Sequence, residues 1–472
     1  MNTTEHLKRE FRARDAFVIA FVFISPIVAL YGVFGLVLQA AGPAGWWAFA
    51  IVLILQLLLA ATLGVLVSRW PFEGGSYQWA RRLVGPAYGW ATGWIYVWTL
   101  IIVVASGAFF LAGFLPSLLG IAPFSVGEQT VVALAVLAFI TVLNVLGPAA
   151  LKIFTRFSLA CEAIGSVGLA TVLLIWHREQ PLSVLTTTGG ASSGHYLWGG
   201  FIVAIGMVGY SFAGFESVCS MAEEIKNPEK HLPKVMIGAV MAIGVVVLYS
   251  SLALILAIPD LPAVLAGQVA DPAADTIVAA LGEGFAKPFL ALVVLGFLAS
   301  ILAAQTSVSR VAWSFARDGS LPGSGSLSKL SGRHGTPARA IVTIGVAAGV
   351  VTVLAFSDRV YATLVSAATT GFFITMSLVA AGLITRMARG TWRDGPFTFG
   401  TLTPLVAVVA GAWAAFQVIN IAWPRATGEP WYVTWAVVVG VAAIAVLGVV
   451  ARFFLPKHTA GQSEPESILI AD

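Results

Sequence analysis

Two acidic residues of this chain lie inside long apolar stretches, where a carboxylate can do chemistry that an exposed one cannot. Glu162 stands in the stretch CEAIG, and Glu216 stands in the stretch GFESV. An ionised carboxylate in hydrocarbon is costly unless it is paired or hydrated, so each is a functional-site hypothesis. Glu162 could hold an ammonium group or carry a proton, or it could form a structural ion pair with a basic residue such as Arg156. Glu216 could equally accept hydrogen bonds from backbone amides that a broken helix sets free.

Two of the apolar stretches also contain residues that interrupt helices. The first surrounds Pro26, which lacks an amide donor, and Gly32 lies two turns further on. The second contains Gly209 and Gly214 close to Glu216. Lipid offers no water to the backbone groups freed by a break, so a break persists only where protein or a polar cavity satisfies them. Each break is therefore a candidate binding site, although glycine and proline are also common in membrane helices that bind nothing.

The backbone of these two breaks would form most of the candidate site. Half-helix N-termini favour anions and exposed carbonyls favour cations, which suits a zwitterion or an amine. The candidate binding residues are Ser25, Pro26, Ile27, Tyr31 and Gly32 in the first break and Gly209, Tyr210, Ser211, Phe212 and Ala213 in the second. The Tyr210 ring could contact an ammonium group, worth roughly 0.5 to 2 kcal/mol, or could simply pack. Ser106 and Ser300 could add polar contacts, or their hydroxyls could bond back to their own helices.

The composition places these stretches in a bilayer. The chain has 472 residues, of which 58% are hydrophobic and 10% charged, and its mean hydropathy is +0.92. So little polar surface cannot cover a soluble globule of this size, and runs of about 20 apolar residues are long enough to cross a membrane. We predict an all-α membrane protein with twelve transmembrane helices. They lie near 16–41, 44–67, 86–112, 129–147, 155–176, 199–221, 234–257, 285–304, 338–356, 361–384, 402–422 and 431–454.

The basic residues fix an expected orientation. With the N-terminus inside, 22 of the 26 Lys and Arg residues fall on the cytoplasmic side, and only Arg178, Lys287, Arg359 and Arg425 fall outside. This asymmetry predicts that both termini are cytoplasmic and that the protein lies in the cell membrane. The net charge of +4 is then a property of topology, and no nucleic-acid partner is expected. Membrane lipid is the expected surrounding partner, and no cofactor or metal is predicted because all six histidines lie in tails or loops.

The two interrupted helices are the first and the sixth, so they run in opposite directions across the membrane. Such a pair is the best sequence-level indication of a transporter site formed by inverted repeats. We therefore divide the chain into a tail (1–15), a first repeat (16–176), a second repeat (199–385), two further helices (402–455) and a second tail (456–472). The segment Gln305 to Asp318 is expected to form a separate interfacial helix on the cytoplasmic side.

Four segments carry a resemblance to a known superfamily. They read PFEGGSY at 71–77, GFE at 214–216, AEEIKNP at 222–228, and ARDGSLP at 316–322 after Ser309 and Arg310. These motifs resemble those of amino acid permeases in the amino acid-polyamine-organocation (APC) superfamily. Within it, the segments at 25–26, 161–165 and 321–324 look most like the amino acid/choline transporter branch.

The resemblance implies a fold and a function. The fold would be the 5+5 inverted-repeat, leucine-transporter-type fold with broken helices 1 and 6. The function would be secondary active transport of amino acids or related amines by alternating access, coupled to protons or exchanging. A transporter of GABA, polyamine or choline-type amines is the alternative, and a transporter-fold substrate sensor is a more remote one. Many members read G-S-G in the first break, where this chain reads Leu30-Tyr31-Gly32, which leaves amines and ω-amino acids open as substrates.

The resemblance also implies roles for charged residues. Glu162 stands where related transporters place a helix-5 side chain in the position of a sodium ion. Glu216 stands where a carboxylate couples the halves of the sixth helix, and Tyr210 where an aromatic residue closes over the substrate. The resemblance implies that Glu223, Glu224, Arg317 and Asp318 form ion pairs at the inner gate. Alternatively, they are ordinary solvated charges at the membrane surface. The sequence Ala299-Ser300-Ile301 lacks the two adjacent hydroxyls of a sodium site, which favours proton coupling or exchange over sodium coupling.

Other membrane functions fit the sequence less well. A channel would need a filter or a ring of like groups, and a membrane enzyme would need paired acids or histidine ligands inside the membrane. An ATP-driven pump would need a G-x(4)-G-K-[ST] loop, which this sequence does not contain. A small-molecule transporter therefore remains the prediction, and the protein is not expected to be an enzyme.

Overall fold

A computed structural model describes residues 11–189, 193–269, 271–331, 335–354, 360–425 and 430–455. Over these residues the chain is helical, and the isolated β-bridge between Phe11 and Ile225 is its one strand-like pairing. The tail predicted at 456–472 and most of the tail predicted at 1–15 lie outside the described residues.

The helices follow one another with short connections. The first half contains α1 (Ala13–Ile24), α2 (Pro26–Tyr31), α3 (Phe34–Ala41), α4 (Trp46–Arg69), α5 (Ser76–Leu83), α6 (Pro86–Leu119), α7 (Val126–Val145), α8 (Pro148–Glu162) and α9 (Leu169–Trp176). The middle contains α10 (Ser193–Tyr196), α11 (Ile202–Ser211), α12 (Pro228–Ala257), α13 (Leu261–Leu265) and α14 (Pro272–Arg317). The remainder contains α15 (Ser324–Leu327), α16 (Ala338–Leu354), α17 (Val360–Ala388), α18 (Thr403–Ala422), α19 (Trp431–Thr434) and α20 (Ala436–Phe453). A π-helical turn at Ala163–Gly168 joins α8 to α9, and a 3₁₀ helix at Phe215–Glu224 follows α11.

Eleven helical segments of the described chain are long and apolar enough to cross a membrane. The remaining apolar helix, α16, has 17 residues and ends where the described range ends. The protein is therefore an all-helical, multi-pass membrane protein, and the number of twelve spans stays a prediction.

The interrupted segments lie at the centre of the helix bundle. In the most apolar part of the first span 78% of the residues are buried, against 11% in α20. The segment α1 packs against α12, α14 and the 3₁₀ helix Phe215–Glu224, while α6 packs against both α14 and α17. The first and sixth segments are thus enclosed by other helices, which can supply hydrogen bonds to any irregular backbone.

The prediction of an interfacial helix at Gln305 to Asp318 was wrong. The segment from Pro272 to Arg317 is helical on both sides of a kink at Gly282, the second helix continues without interruption to Arg317, and the residues from 305 to 316 are buried. Arg310, which lies in this segment, is 2% exposed, and its guanidinium group binds Glu224. A buried arginine is stable only with such a partner, and the partner is distant in the sequence.

Candidate functional site

The first helix is interrupted at Ser25, whose φ of +52° ends α1 and begins α2. Pro26 has no N–H to give to the preceding turn. The N–H of Ile27 donates instead to Glu162 Oε2 at 3.1 Å, and the Ser25 hydroxyl donates to the other carboxylate oxygen. Ser25 Oγ also accepts the N–H of Val28 at 3.1 Å. The donors freed at the break are thus bound by one buried carboxylate and one hydroxyl.

Glu162 reaches this break from the end of α8. Its side chain is 1% exposed, and the π-helical turn begins at the next residue, a feature often found at functional sites. Gly296 of α14 lies opposite, where a Cβ would come within 3.0 Å of Glu162 Oε1. Arg156 binds Asp15 at 2.6 Å instead of Glu162, so the alternative of a structural ion pair with Arg156 was wrong.

One of the carbonyl groups freed at the same break is also bound. A continuous helix would give the N–H of Ile27 to the carbonyl of Phe23. Here the Ser300 hydroxyl of α14 donates to Phe23 O at 2.6 Å. The hydroxyl of Ser106 donates to Val103 O of its own helix at 3.0 Å, as the alternative for serines expects. The two serines therefore differ: Ser300 binds the backbone of the break, whereas Ser106 binds its own helix and lies next to the hydroxyl of Tyr210.

The sixth span is interrupted between α11 and the 3₁₀ helix that starts at Phe215. Gly214 adopts φ +103°, a left-handed conformation that favours glycine. The Ser211 hydroxyl donates to the carbonyl of Ala29 in α2, which joins the two breaks directly. The carbonyl of Phe212 accepts the side-chain N–H of Gln56 at 3.3 Å.

Glu216 begins the second half of the sixth span and is 1% exposed. The Tyr96 hydroxyl of α6 donates to its Oε1 at 2.8 Å. Its Oε2 has no hydrogen-bond partner among the described residues. The backbone N–H groups of Gly214 and Glu216 also lie near this carboxylate, as the structural alternative expects. The oxygen without a partner can take a proton or an ammonium donor.

The remaining candidate residues lie at or next to the two breaks. Tyr31, on α2, is 7% exposed, and Tyr210, on α11, is 9% exposed. Gly209 faces α18, where a Cβ would come within 2.6 Å of Gln417 Nε2. Gly32 follows α2, and Ala213 donates its N–H to Tyr210 O at 3.1 Å. Except for the half-buried Ala213, the candidate residues of the two breaks are therefore buried, and those named here lie in or next to α2 and α11.

The predicted gating residues meet at the ends of the sixth span and α14. Arg317 binds Glu223 at 2.9 Å, Arg310 binds Glu224 at 3.0 Å, and Asp318 pairs with Arg81. The alternative of solvated charge is wrong for Glu224, which is 4% exposed.

Three polar side chains of the site and one charged partner near it were not predicted from the sequence. Gln56, Tyr96 and Gln417 contact the sixth span, and Arg310 binds its end. Gln56 and Gln417 each lie in an apolar helix. A single amide side chain among apolar residues could have indicated a buried polar contact from the sequence. Tyr96 and Arg310 gave no such signal, because tyrosine is common in membrane spans and the arginine's partner is remote.

Comparison with known proteins relates the chain to a family of transporters. The model of the family described as amino acid permease matches residues 16–444. The chain is 26% identical to "Amino-acid permease BAT1 homolog" of Oryza sativa subsp. japonica over 87% of this chain and 84% of that protein. It is 24% identical to "GABA-specific permease" of Saccharomyces cerevisiae over 89% and 76%. It is 24% identical to "Low-affinity putrescine importer PlaP" of Escherichia coli over 67% and 69%.

Proposed function

We propose that this chain, which belongs to the amino acid permease family of the APC superfamily, moves amino acids or related amines across a membrane by alternating access. The family and the relatives are transporters, so the chain is a transporter and not an enzyme. The observation that carries the proposed mechanism is the contact between the two breaks, where the Ser211 hydroxyl meets the Ala29 carbonyl. A solute bound there would touch both interrupted spans at once.

The proposed architecture is the 5+5 inverted repeat with twelve spans. The first repeat would occupy 16–176 and the second 199–385, with the breaks near Ser25 and Phe212. In this arrangement each break lies in the first helix of its repeat, which is where a midplane site of a secondary transporter is built. The assignment to the amino acid/choline transporter branch stays a prediction.

The proposed substrates carry an amino group. The names of the relatives include an amino-acid permease, a GABA-specific permease and a putrescine importer, and every one of these solutes is an amine. The site offers carbonyl oxygens, the open oxygen of Glu216 and the buried rings of Tyr31 and Tyr210. These groups favour a cationic nitrogen, whereas the N–H groups of Ile27 and Val28 at the start of α2 are already bound by Glu162 and Ser25.

We assign the coupling role to Glu162. Its carboxylate binds the N–H of Ile27 and the hydroxyl of Ser25, so its protonation would change the hydrogen bonding of the first break. That is the link between an ion and a conformation that a symporter needs. The competing mechanism is exchange of substrates without net proton movement. In the proposed orientation both termini lie in the cytoplasm.

Purified protein in proteoliposomes tests the function. We expect uptake of labelled substrate from a panel of amino acids, GABA, polyamines and choline, and greater accumulation with an inward proton gradient. Counterflow with equal pH on both sides separates a transporter from a sensor of the same fold, because a sensor binds label without moving it. Binding without counterflow for every panel member would contradict the proposal.

A further inference from the structure

A carboxylate outside the proposed transport site is buried between α4 and α5. Glu73 is 0% exposed, although its segment joins two helices at the predicted cytoplasmic face. Gly74 adopts φ +96° and lies so close to α14 that a Cβ would come within 2.7 Å of Ser314 Oγ. The Ser314 hydroxyl donates to the carbonyl of Glu73 at 2.9 Å. The segment is therefore held against α14 with the Glu73 side chain inside.

Glu73 is also tied to the end of the sixth span. The N–H of Glu73 donates to Glu223 Oε1, and the N–H of Glu223 donates to Glu73 Oε2, each at 3.2 Å. This reciprocal pair brings the two carboxylates together at the predicted inner gate. Opening of the gate would have to break both bonds.

The charges around Glu73 do not balance if it is ionised. Its neighbours are the carboxylates of Glu223 and Glu224 and the guanidinium groups of Arg310 and Arg317. Each guanidinium binds another carboxylate, Arg317 that of Glu223 and Arg310 that of Glu224. Glu73 Oε1 and Arg310 Nη1 have no hydrogen-bond partners among the described residues, so these two groups do not pair. An ionised Glu73 would be a third negative charge beside two positive ones.

We propose that Glu73 is a proton-binding site whose neutral form keeps the predicted cytoplasmic face closed and whose ionised form drives the 70–75 segment away from the sixth span. Glu73 lies outside the membrane-spanning segments, and burial, together with the charges of Glu224 and Glu223, raises its pKa well above the ordinary range. The inference rests on the proposed alternating-access cycle, but on no particular substrate.

The direction of the pH effect follows from linkage. In an open, hydrated gate the pKa of Glu73 would return towards its ordinary value, so the closed state binds the proton more tightly. The closed state is therefore favoured at low pH and loses that contribution as pH rises through the raised pKa. Each unit of pKa difference between the two states shifts their equilibrium about tenfold.

A native thiol beneath the segment reports on this closure. Cys219 is 0% exposed, and its Cβ lies 3.7 Å from the position that a Cβ on Gly75 would occupy. With Cys161→Ala in the background, Cys219 is the only cysteine of the chain. We would measure its alkylation rate by a small maleimide in nanodiscs, without substrate, from mildly acidic to mildly alkaline buffer. At each pH the alkylation rate of the parent is divided by that of Glu73→Gln. This ratio removes the effect of pH on the ionisation of the thiol itself.

We expect Cys219 of the parent to become more reactive than that of Glu73→Gln as pH rises, by up to about tenfold for each unit of pKa difference. Glu229→Gln, which removes a carboxylate at the start of α12, should behave as the parent. Identical pH dependence of Cys219 alkylation in the parent and Glu73→Gln would overturn the proposal.

If Glu73→Gln is not monodisperse, Glu73→Asp is tested instead, because its shorter acid should move the midpoint of the pH dependence. An unmoved midpoint overturns the proposal. If the parent protein shows no counterflow with any substrate, but Cys219 alkylation still differs between the parent and Glu73→Gln as pH rises, the proposed transport function is wrong and the proton site at Glu73 stands.

Discussion

Glu162 takes a hydrogen bond that belongs to the backbone in a regular helix. Its carboxylate receives the N–H of Ile27, and the carbonyl that would have received that N–H binds Ser300 instead. An ionised carboxylate accepts hydrogen bonds at both oxygens, whereas a protonated one must also place a donor. The protonation state of a single side chain is therefore connected to the shape of the first span.

Glu162→Gln should uncouple transport from the proton gradient. The amide keeps the size of the side chain but cannot take up a proton at this position, so accumulation driven by the gradient should be lost while counterflow at equal pH persists. Uptake into proteoliposomes with and without a gradient measures both. Glu128→Gln, which changes an exposed acid that caps α7, should leave both unchanged. Gradient-driven accumulation that survives in Glu162→Gln would exclude this residue from coupling.

The two acids could be found from the sequence, but their partners could not. Glu162 and Glu216 stood out because a charge in an apolar stretch is costly wherever the stretch folds. The partners Ser25 and Tyr96 are separated from them by 137 and 120 positions. Only the folded chain shows that Ser300 binds the first break while Ser106 binds its own helix, because both are serines among apolar residues.

At the scale of an element, the second break depends on a glycine that no other residue can replace without strain. Gly214 adopts φ +103°, and a Cβ at this position would overlap the ring of Phe23 in α1. The break of the sixth span and the end of α1 are therefore fitted to one another at this residue.

Gly214→Ala should destabilise the protein and impair transport. A residue other than glycine in the left-handed region costs about 1 to 2 kcal/mol, and displacement of the Phe23 ring adds to that. The midpoint of thermal unfolding in detergent and the rate of counterflow should both fall. Gly440→Ala in α20, where a Cβ would meet nothing within 4 Å, is the matched control. Equal melting temperatures for the two variants would show that the geometry of this break is not required.

Local chemistry explains which elements could be predicted. Pro26 and Gly214 lie at the two breaks and interrupt helices through their own backbones, so the breaks follow from the sequence. Gly209, which was also expected in the second break, lies inside α11. The burial of the end of α14 was not predicted, because the segment from Gln305 was expected at the membrane interface and the burial of Arg310 depends on Glu224, 86 positions away. A pattern of apolar residues cannot show whether an arginine among them has a partner.

For the whole molecule, the distribution of Lys and Arg predicts the orientation. Single cysteines introduced in a background without Cys161 and Cys219 test it with an impermeant maleimide on intact cells. A cysteine at Gly127, which has nothing within 4 Å of a Cβ, should react from outside, and a cysteine at Gly390 should react only after permeabilisation. Gly127 lies in the first turn of α7, Gly390 lies just after α17, and both are away from the site. Labelling of Gly390→Cys from outside would reverse the proposed topology.

The pairing of Phe11 with Ile225 connects the start of the first span to the exit of the sixth. The N–H of Phe11 donates to Glu224 O, and the N–H of Lys226 donates to Phe11 O, each at 3.0 Å. These two hydrogen bonds join the spans at their predicted inner ends. A protein or tag fused immediately before Phe11 would therefore be attached to a contact that has to move during transport. Affinity tags and fluorescent reporters are better placed at the other terminus, after α20. That helix is peripheral, so a bulky fusion there would not disturb the contact between the first and sixth spans.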